Sequence, residues 1–428
     1  MISSTLEGGL KVRVKRAYGL LGFIKFTRGY YMILITDRHH VGEIGFNRIY
    51  EIRSTQVICV QKNGREDKNK NTFIKNLMKD DEQHYMESFL DMDLSSDFYF
   101  SYTYDLSRPL QQNMDPNVKK DATFQDDEMF VWNSFLTAPL SRSLKSGDFS
   151  PWVLPIVHGF YDQVRLNVVG RSVDIVLVAR RSRYFAGTRY LKRGINDSGH
   201  VANHVETEQI VFDYNSIIPT EGTGLYSSFV QTRGSIPLYW SQTITTKMVN
   251  PKPDITVGKF DPLHTSARQH FSQLQRRHSC PVTCFDLVKQ KEKRKEREAI
   301  LGRAYQQCVQ YLNQSLTDEK VLKYIAWDFK SSIKDKPERA LNELAAFAEE
   351  NLNVTGFFCS TSYTHPQGSS TQKGVVRTNC IDCLDRTNIV QFFIGKHAMG
   401  HQLHSMGVLD TTTFNLPQQR RQDINAPV

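Results

Sequence analysis

Short apolar runs separated by turn residues dominate the first hundred residues of this 428-residue chain. Apolar residues at 20–26, 30–35 and 41–44 are separated by the pair Arg28-Gly29 and by the polar stretch 37–40. This spacing predicts an antiparallel meander of strands. Residues 80–90 have the pattern of a short helix, and alternating aromatic residues at 98–104 predict a further strand. We expect this aromatic face to pack in the core, because alternation on a half-buried strand needs no ligand to explain it.

A polar stretch at residues 107–129, with two prolines and few apolar residues, predicts a linker between two domains. Beyond it, strand-like runs occupy residues 154–160, 164–169, 173–179, 281–288, 321–327 and 356–359, and helix-like runs occupy residues 264–278, 289–312 and 337–352. Their alternation predicts an α/β layer. The predicted fold class is therefore α+β, with a β-rich domain at 1–106, a linker at 107–129, an α/β domain at 130–410 and a polar tail at 411–428.

The most informative stretch is residues 374–407. It begins with the β-branched pair Val375 and Val376, continues through a polar turn, and ends in apolar residues at helical spacing before Gly407. This pattern predicts a strand, a loop and a helix, with Gly407 as the C-terminal cap. The loop then lies at a helix N-terminus, where free backbone N–H groups and the positive end of the helix dipole favour an anion such as phosphate.

Inside the predicted loop, five residues separate Cys380 from Arg386, and Thr387 follows. This Cys-x5-Arg spacing lets a loop close around one phosphate, with a thiolate at its centre and the guanidinium on two phosphoryl oxygens. The helix dipole and Arg386 are expected to lower the pKa of Cys380, which makes it nucleophilic. Thr387 is placed to donate a hydrogen bond to the sulfur. The agreement of spacing, Thr387 and context favours this interpretation over a structural cysteine.

The same spacing occurs once more, between Cys59 and Arg65. There the cysteine leads from an apolar, strand-like stretch into a charged segment, and Glu66 occupies the place that Thr387 has in the other match. Since no apolar helical pattern follows directly, we reject this second match as a site.

Composition and charge narrow the class of protein. Fifty-four Lys and Arg against 45 Asp and Glu give a net charge of +9, which favours an anionic partner such as phospholipid headgroups or nucleic acid. Seven scattered cysteines argue for a reducing compartment and against a secreted disulfide scaffold. The N-terminal residues lack the apolar core of a signal peptide, and no apolar run approaches transmembrane length, so we expect any membrane contact to be peripheral.

Two charged tracts have more than one interpretation. Six of the fourteen residues at 180–193 are basic and none is acidic. Alone, this tract suits a solvated loop or, with its interleaved aromatic residues, single-stranded nucleic acid. Residues 289–297 (KQKEKRKER) lead into an apolar helical pattern, so we expect them to form the solvated face of a helix at 289–312.

The sequence leaves open which residue is the general acid and what role Cys383 has. An alkoxide leaving group requires an acid, and Asp382 and Asp385 are the carboxylates that the sequence places nearest to the phosphate. A neighbouring phosphate favours the protonated carboxyl, so Asp382 is our candidate, whereas Asp385 has the alternative role of capping the helix. Cys383 either packs or pairs with Cys380 on oxidation.

Histidines give little information about a metal. His397 and His401 are four residues apart, a spacing that can bind zinc on a helix. The sequence shows no matching carboxylate or cysteine near them, so no metal site is predicted.

The motif at residues 377–388 (RTNCIDCLDRTN) resembles, in register, the signature of the Sac-domain phosphoinositide phosphatases, in which the first cysteine is the nucleophile. The resemblance extends from about residue 16 to about residue 410. It is closest to the polyphosphoinositide phosphatase branch linked to phosphatidylinositol 3,5-bisphosphate. Residues 19–31 resemble the non-catalytic N-terminal β domain of the family, and residues 180–193, 199–209 and 230–240 together resemble three successive family motifs.

The resemblance implies a groove for phosphorylated inositol that is lined by the basic tract at residues 180–193 and by Arg233. Nucleic acid is therefore disfavoured as the ligand of this tract. The predicted catalytic residues are Cys380, Arg386 and Asp382. The predicted substrate-binding residues are Asn379, Cys383, Asp385, Thr387, Lys192, Arg193 and Arg233. Some members of the family depend on Mg²⁺, but no residue pattern here identifies an ion site.

The implied reaction is removal of the 5-phosphate of phosphatidylinositol 3,5-bisphosphate through a phosphocysteine intermediate, at the cytosolic face of endosomal, lysosomal or vacuolar membranes. The alternative is a catalytically weak structural subunit in a complex with phosphatidylinositol 3-phosphate 5-kinase and its helical-repeat scaffold, which the family also suggests. Sac catalytic domains of this branch continue past the helix that follows the loop, and their first strands begin earlier. The resemblance therefore also predicts either an incomplete chain or one whose missing core is supplied by a partner.

Overall fold

The computed structural model describes residues 17–27, 29–62, 72–116, 128–143, 153–168, 170–187, 191–214, 224–242, 253–259, 261–292, 296–335, 337–361 and 369–413. The chain divides into two units that interleave along the sequence. Unit 1 takes Met1–Gln163, Val176–Ala186 and Val205–Thr207, and unit 2 takes Val164–Ile175, Gly187–His204 and Glu208–Val428. This division differs from the one predicted at residues 107–129, because residues 130–163 belong to unit 1.

Unit 1 is built on antiparallel strands, as its apolar runs predict. The elements that begin within it are β1 (Gly19–Lys25), β2 (Gly29–Ile44), β3 (Asn47–Lys62), α1 (Thr72–Leu90), β4 (Phe98–Phe100), α2 (Leu110–Asn113), a 3-10 turn (Glu128–Phe130), α3 (Ser134–Ser143) and β5 (Val157–Val168). Each strand from β1 to β5 pairs antiparallel with the next. Ile33, Ile35 and Ile52 are fully buried on one face, which is the alternation expected of a sheet with one solvated side.

The predicted turn at residues 37–40 is wrong, because β2 continues through this stretch. Arg38 pairs with Ile52 of β3 in the strand register. The Arg38 guanidinium lies 3.7 Å from the centre of the Tyr50 ring and 4.8 Å from that of Tyr102. These cation–π contacts come from residues distant in sequence, and they stabilise a polar stretch as strand. The local turn signal survives as β-bulges in the register.

The aromatic strand at residues 98–104 is shorter than predicted, since β4 ends at Phe100. Phe100 is fully buried and Tyr104 is 8% exposed, which confirms that this face packs in the core. Tyr102 is 46% exposed and stacks on Arg38 instead.

The described part of the predicted linker packs within unit 1. Leu110 begins helix α2 and is buried, as is Ser107. The Asn113 side chain donates to the carbonyl oxygens of Asp105 and Arg108. The stretch before residue 117 is therefore held by specific contacts, and residues 117–127 lie outside the described residues.

Unit 2 contains a parallel sheet. Its elements are β8 (Leu225–Arg233), β9 (Trp240–Gln242), β10 (Ile255–Val257), α4 (Thr265–His278), β11 (Val282–Asp286), α5 (Glu298–Asn313), a 3-10 turn (Asp318–Lys320), β12 (Leu322–Ala326), α6 (Phe329–Asp335), α7 (Pro337–Thr355), β13 (Phe358–Cys359), β14 (Val375–Asn379) and α8 (Asp385–Ser405). The strands β8, β14, β11 and β12 lie side by side in that order and run parallel. Strands β5, β6 (Arg171–Arg181) and β7 (Val205–Asp213) carry residues of both units.

The two faces of this parallel sheet carry separate apolar cores. Val375 and Cys284 pack on one face with residues of α4 and α5. Their neighbours Val376 and Phe285 pack on the other face with residues of α7 and α8. Successive side chains of a strand point to opposite faces, so a consecutive apolar run is buried on both sides. The arrangement confirms the α+β class and places helices on both faces of the sheet.

The predicted helix at residues 289–312 is correct only in its second part, since α5 begins at Glu298. The described residues of the charged tract, 289–292 and 296–297, are not helical, so they do not form the solvated face of that helix. The backbone N–H of Lys289 donates to the Glu298 carboxylate, 3.1 Å away, and that of Gln290 donates to Asp328. These carboxylates take N–H groups away from helical bonding. The helices predicted at 264–278 and 337–352 are confirmed as α4 and α7.

Candidate active site

A buried strand leads through a short loop into a long helix, as the sequence predicts. Strand β14 ends at Asn379 and helix α8 begins at Asp385, so residues 380–384 form the loop. Beyond the helix, Gly407 has φ of 66°, and its N–H donates to the His404 carbonyl. The left-handed conformation confirms Gly407 as the C-terminal cap.

Cys380 is 2% exposed, and its sulfur accepts a hydrogen bond from the backbone N–H of Cys383 at 3.0 Å. Cys383 has φ of 53°, an uncommon conformation for a residue with a Cβ, and this turn directs its N–H at the sulfur. Hydrogen bonding from the Cys383 side chain, against the effect of burial and with the help of the Arg386 charge, lowers the pKa of Cys380 to about 7. The predicted lowering is confirmed, but its largest cause is Cys383.

Cys383 and Cys380 have opposite tendencies to ionise. The hydrogen bond with Cys380 and burial both raise the pKa of Cys383. Its thiol donates to the Cys380 carbonyl oxygen at 3.4 Å, and both cysteines are free thiols. The negative charge of the pair therefore belongs on Cys380.

Arg386 lies in the first turn of α8 and is held from outside the loop. Its Nη1 donates to the Glu298 carboxylate at 2.8 Å and to the Leu287 carbonyl at 3.2 Å. Among the described residues, no partner is found for its Nε or Nη2. One side of the guanidinium is thus anchored by α5 and the end of β11, while two N–H directions stay available to an anion.

Arg193 braces the loop from a buried position. Its Nη2 forms an ion pair with Asp382, its Nη1 donates to the Ile381 carbonyl at 3.0 Å, and its Nε donates to Gln242. The Arg193 side chain is only 2% exposed. The structure thus places Arg193 as a support for the loop, which it holds by one ion pair and one hydrogen bond to a backbone carbonyl.

The other predicted loop residues are engaged with the protein itself. The Asn379 amide donates to Asp286 at 2.7 Å, and Thr387 donates to the Leu384 carbonyl at 2.8 Å. The Thr387 hydroxyl is therefore turned to the backbone, and not to the Cys380 sulfur. Asp385 is exposed at the first helical position, where a carboxylate stabilises the helix dipole, and the N-cap residue Leu384 makes no side-chain capping bond.

Arg233 and Lys192 occupy different environments. Arg233 ends β8 beside Thr378 of β14, and its guanidinium donates to the Asn388 side chain. Burial lowers the pKa of Arg233, while the neighbouring Cys383 and Cys380 sulfurs act in the opposite direction, which places this cation beside the loop. Lys192 is exposed.

The basic tract at residues 180–193 is divided between the two units. Arg180 is fully buried in unit 1, where it pairs with Glu206 at 3.1 Å. Arg183 also belongs to unit 1 and pairs with Glu128 at 2.7 Å. Lys192 and Arg193 belong to unit 2, and Arg189 lies outside the described residues. The tract is therefore not a single solvated loop.

Asp286 is a buried carboxylate behind the loop that the sequence analysis missed. Its two oxygens accept hydrogen bonds from Asn379 at 2.7 Å and from Tyr324 at 2.8 Å. Burial raises the pKa of Asp286 to about 6, against the effect of these bonds. The sequence does show an acidic residue, Asp286, at the end of an apolar run. Its contact with Asn379 arises because β11 and β14 are parallel neighbours whose ends meet at these two residues.

Replacing Asp286 with Asn is expected to remove one pH dependence of stability. In the folded state the pKa of Asp286 is about 6, against an ordinary value of 3.8 in the unfolded chain. The folded state therefore binds the proton more tightly, and the parent loses stability as pH rises from 3.8 to about 6. Relative to Asp286→Asn, the parent should lose up to about 3 kcal/mol of unfolding free energy across this window. Denaturant unfolding at several pH values measures it, with exposed Asp385→Asn as control. A constant difference between parent and Asp286→Asn would contradict the argument.

The rejected Cys59 match lies in a different setting. Cys59 is within β3 and pairs with Tyr31 of β2, so it continues as strand and not as a loop. Arg65 lies outside the described residues.

The described helices include none with the length and apolarity that a membrane crossing requires. Comparison with known proteins assigns the chain to a family. The SacI homology domain family matches residues 18–334, and the chain belongs to this family.

Curated relatives share much of this sequence. The polyphosphoinositide phosphatase of Schizosaccharomyces pombe is 42% identical over 94% of this chain and 46% of its own length. The phosphoinositide phosphatase SAC4 of Arabidopsis thaliana is 37% identical over 96% of this chain and 53% of its own length. The phosphatidylinositol-3-phosphatase SAC1-B of Danio rerio is 32% identical over 91% of this chain and 61% of its own length. The chain thus spans about half the length of the curated relatives it matches.

Proposed function

We propose that this chain carries the catalytic loop of a phosphoinositide phosphatase that works through a phosphocysteine intermediate. The observation that carries the proposal is the lowered pKa of Cys380, to about 7, at the N-terminus of α8 and close to the charge of Arg386. A buried cysteine that only packs in the core does not need an ionised side chain, so a lowered pKa at this position favours a catalytic role. The phosphoinositide phosphatase names of the relatives support the substrate class.

The proposed reaction has two displacements at phosphorus. The Cys380 thiolate attacks the phosphorus, a P–S bond forms, and the bond to the inositol oxygen breaks. The departing oxygen takes a proton from an acid, for which Asp382 is our candidate. Water then attacks the phosphorus and gives a proton to the acid that lost one, the P–S bond breaks, and inorganic phosphate and the Cys380 thiolate are released. The Nε and Nη2 groups of Arg386 and the N–H groups at the start of α8 bind the phosphoryl oxygens throughout.

The proposed substrate is phosphatidylinositol 3,5-bisphosphate, from which the 5-phosphate is removed. The resemblance in sequence supports this choice over other phosphoinositides, while the names of the relatives include polyphosphoinositide phosphatase and phosphatidylinositol-3-phosphatase. The proposed setting is peripheral contact with endosomal, lysosomal or vacuolar membranes. The proposed partners are the membrane surface, the phosphatidylinositol 3-phosphate 5-kinase and a helical-repeat scaffold.

The residues around the loop do not fit a Mg²⁺ ion, although some members of the family require one. Mg²⁺ prefers carboxylate and water oxygens in octahedral geometry. Asp382 of the loop and Glu298 at the start of α5 already pair with Arg193 and Arg386, respectively. We therefore derive no step through a metal ion.

The proposal is tested by measuring phosphate release from a panel of vesicles, each with one defined phosphoinositide. Release is expected to be fastest from phosphatidylinositol 3,5-bisphosphate, with phosphatidylinositol 3-phosphate as the product. Faster release from another member would overturn the substrate assignment. A folded chain that releases no phosphate from any member, and that still binds the kinase and scaffold, would favour the catalytically weak structural subunit.

The acid role of Asp382 predicts a dependence on the leaving group. Asp382→Asn is expected to reduce kcat by about 10² to 10⁴ for an inositol phosphate, since general acid catalysis contributes that much. An aryl phosphate with an acidic phenol as leaving group needs little protonation, so its turnover should be nearly unchanged. Exposed Asp410→Asn serves as the control. Equal losses on both substrates would instead identify Asp382 as a residue that only positions the loop through Arg193.

Lys192 and Arg193 are expected to act differently, although the sequence groups them. Lys192→Ala should raise the KM for vesicle substrate, mostly at low salt, because an exposed cation near an anionic membrane contributes about 1 kcal/mol. Arg193→Ala should lower kcat and the melting temperature, because it removes the cation that pairs with Asp382 and the donor to the Ile381 carbonyl. Kinetics at two salt concentrations measure both, with exposed Lys334→Ala as the matched control. An unchanged kcat in Arg193→Ala would contradict the bracing role.

A further inference from the structure

Helices α7 and α8 bring together three metal-ligating side chains that the proposed reaction does not use. The Nε2 of His397 lies 2.7 Å from Oε2 of Glu349, and the Nε2 of His401 lies 2.9 Å from the same oxygen. The three ligand atoms lie within 4.8 Å of one another. The sequence-based expectation that no carboxylate lies near these histidines is therefore wrong, because Glu349 is 48 residues away from His397 in the chain.

Packing of the two helices fixes this cluster. Ala348 and Leu352 of α7 pack in one apolar core with Ile394 and Ala398 of α8. Glu349 follows Ala348, and His397 precedes Ala398, so the three polar side chains lie at the edge of the helix interface. The imidazoles of His397 and His401 project from adjacent turns of α8, with ring centres 5.7 Å apart.

The three side chains are partly exposed, which suits a metal ion that keeps one coordination position open to water. The exposed fractions are 26% for His397, 17% for His401 and 44% for Glu349. An ion bound to one face of the three groups would thus keep contact with water. Three protein ligands and one water complete a tetrahedral zinc site.

The cluster is also close to the geometry of such a site. Zinc binds imidazole nitrogen at about 2.0–2.1 Å and carboxylate oxygen at about 2.0–2.2 Å, so two ligand atoms on a tetrahedral ion lie about 3.3 Å apart. The two nitrogen–oxygen distances of 2.7 and 2.9 Å need to open by only about half an ångström. The two imidazole nitrogens lie within 4.8 Å of each other, and we expect side-chain rotation to bring all three ligand atoms to these spacings. Each imidazole then presents an unprotonated Nε2 and keeps its proton on Nδ1.

We propose that Glu349, His397 and His401 form a zinc site that links α7 to α8. Two imidazoles and one carboxylate favour zinc and neighbouring transition metals over Mg²⁺ or Ca²⁺, which prefer oxygen ligands. The ion ties the helix that carries the Cys380 loop to the helix packed beside it. Its binding is independent of the phosphatase reaction and is tested without an activity assay.

The test is a titration of untagged, chelator-treated protein with Co²⁺, a spectroscopic substitute for Zn²⁺. One equivalent of Co²⁺ is expected to give visible absorption bands that Zn²⁺ abolishes. Since loss of an outer-shell partner alone costs about 10- to 100-fold in metal affinity, His397→Ala, His401→Ala and Glu349→Gln should each weaken binding by about tenfold or more. His84→Ala, which removes an exposed histidine from α1, should bind Co²⁺ as the parent does.

Two further measurements keep the result interpretable. Thermal unfolding without metal establishes that the variants fold, and Zn²⁺ should raise the melting temperature of the parent and not that of His397→Ala. X-ray absorption of the zinc-loaded parent should show only nitrogen and oxygen ligands, and this needs no variant. A sulfur ligand at about 2.3 Å would place the ion on cysteines and overturn the proposal. Absent binding, or equal binding by His397→Ala and His84→Ala, would also overturn it.

Discussion

Cys380→Ser is expected to lower phosphate release by about a thousandfold or more, because a serine hydroxyl is not ionised at neutral pH and cannot replace the nucleophile. In the proposed mechanism the parent depends on the Cys380 thiolate, and the pKa of Cys380 is lowered to about 7. The kcat/KM of the parent should therefore rise with pH through about 7, as Cys380 loses its proton, and should fall at higher pH, where the acid that protonates the departing oxygen is itself ionised. Initial rates on vesicles of phosphatidylinositol 3,5-bisphosphate measure both effects.

Cys59→Ser is the matched control, since it changes the same residue type in the other Cys-x5-Arg match. Cys59 lies in β3 of unit 1, and its replacement should leave turnover nearly unchanged. A large loss in Cys59→Ser, with turnover retained in Cys380→Ser, would overturn the site assignment. A flat pH profile between 6 and 8 would separately contradict the thiolate mechanism.

Arg386→Lys is expected to cost about 10- to 100-fold in kcat/KM. The lysine ammonium group keeps the positive charge. It cannot, however, form two parallel hydrogen bonds to phosphoryl oxygens and also keep the hydrogen bond that Arg386 makes to Glu298. Loss of one charge-assisted hydrogen bond, about 1.5–3 kcal/mol, corresponds to this range. Steady-state kinetics on the same vesicles measure the effect.

Arg303→Lys provides the matched control for Arg386→Lys. Arg303 forms a two-bond ion pair with Glu296 on the exposed surface of α5, so its replacement by lysine should change kcat/KM little. Retention by Arg386→Lys of more than about a third of the parent rate would count against bidentate binding of the phosphoryl group.

The sequence predicts local features of the site well, because they depend on residues close together in the chain. The β-branched pair before Cys380 and the apolar residues at helical spacing after Arg386 predict β14 and α8. Charged tracts are predicted less well. Residues 289–292 resemble the face of a helix, yet Glu298 and Asp328 accept hydrogen bonds from the backbone N–H groups of Lys289 and Gln290. The spacing of charges contains no sign of this.

By itself, the sequence determined the family, the α+β class and the position of the Cys380 loop at a helix N-terminus, since periodicity and a short motif are properties of neighbouring residues. Only the tertiary structure decided which charges pair. Arg386 meets Glu298 at a separation of 88 residues, and Arg193 meets Asp382 at a separation of 189. Parallel strands need long crossover connections, so they bring together at one sheet edge side chains whose distance along the chain reveals nothing of their contact.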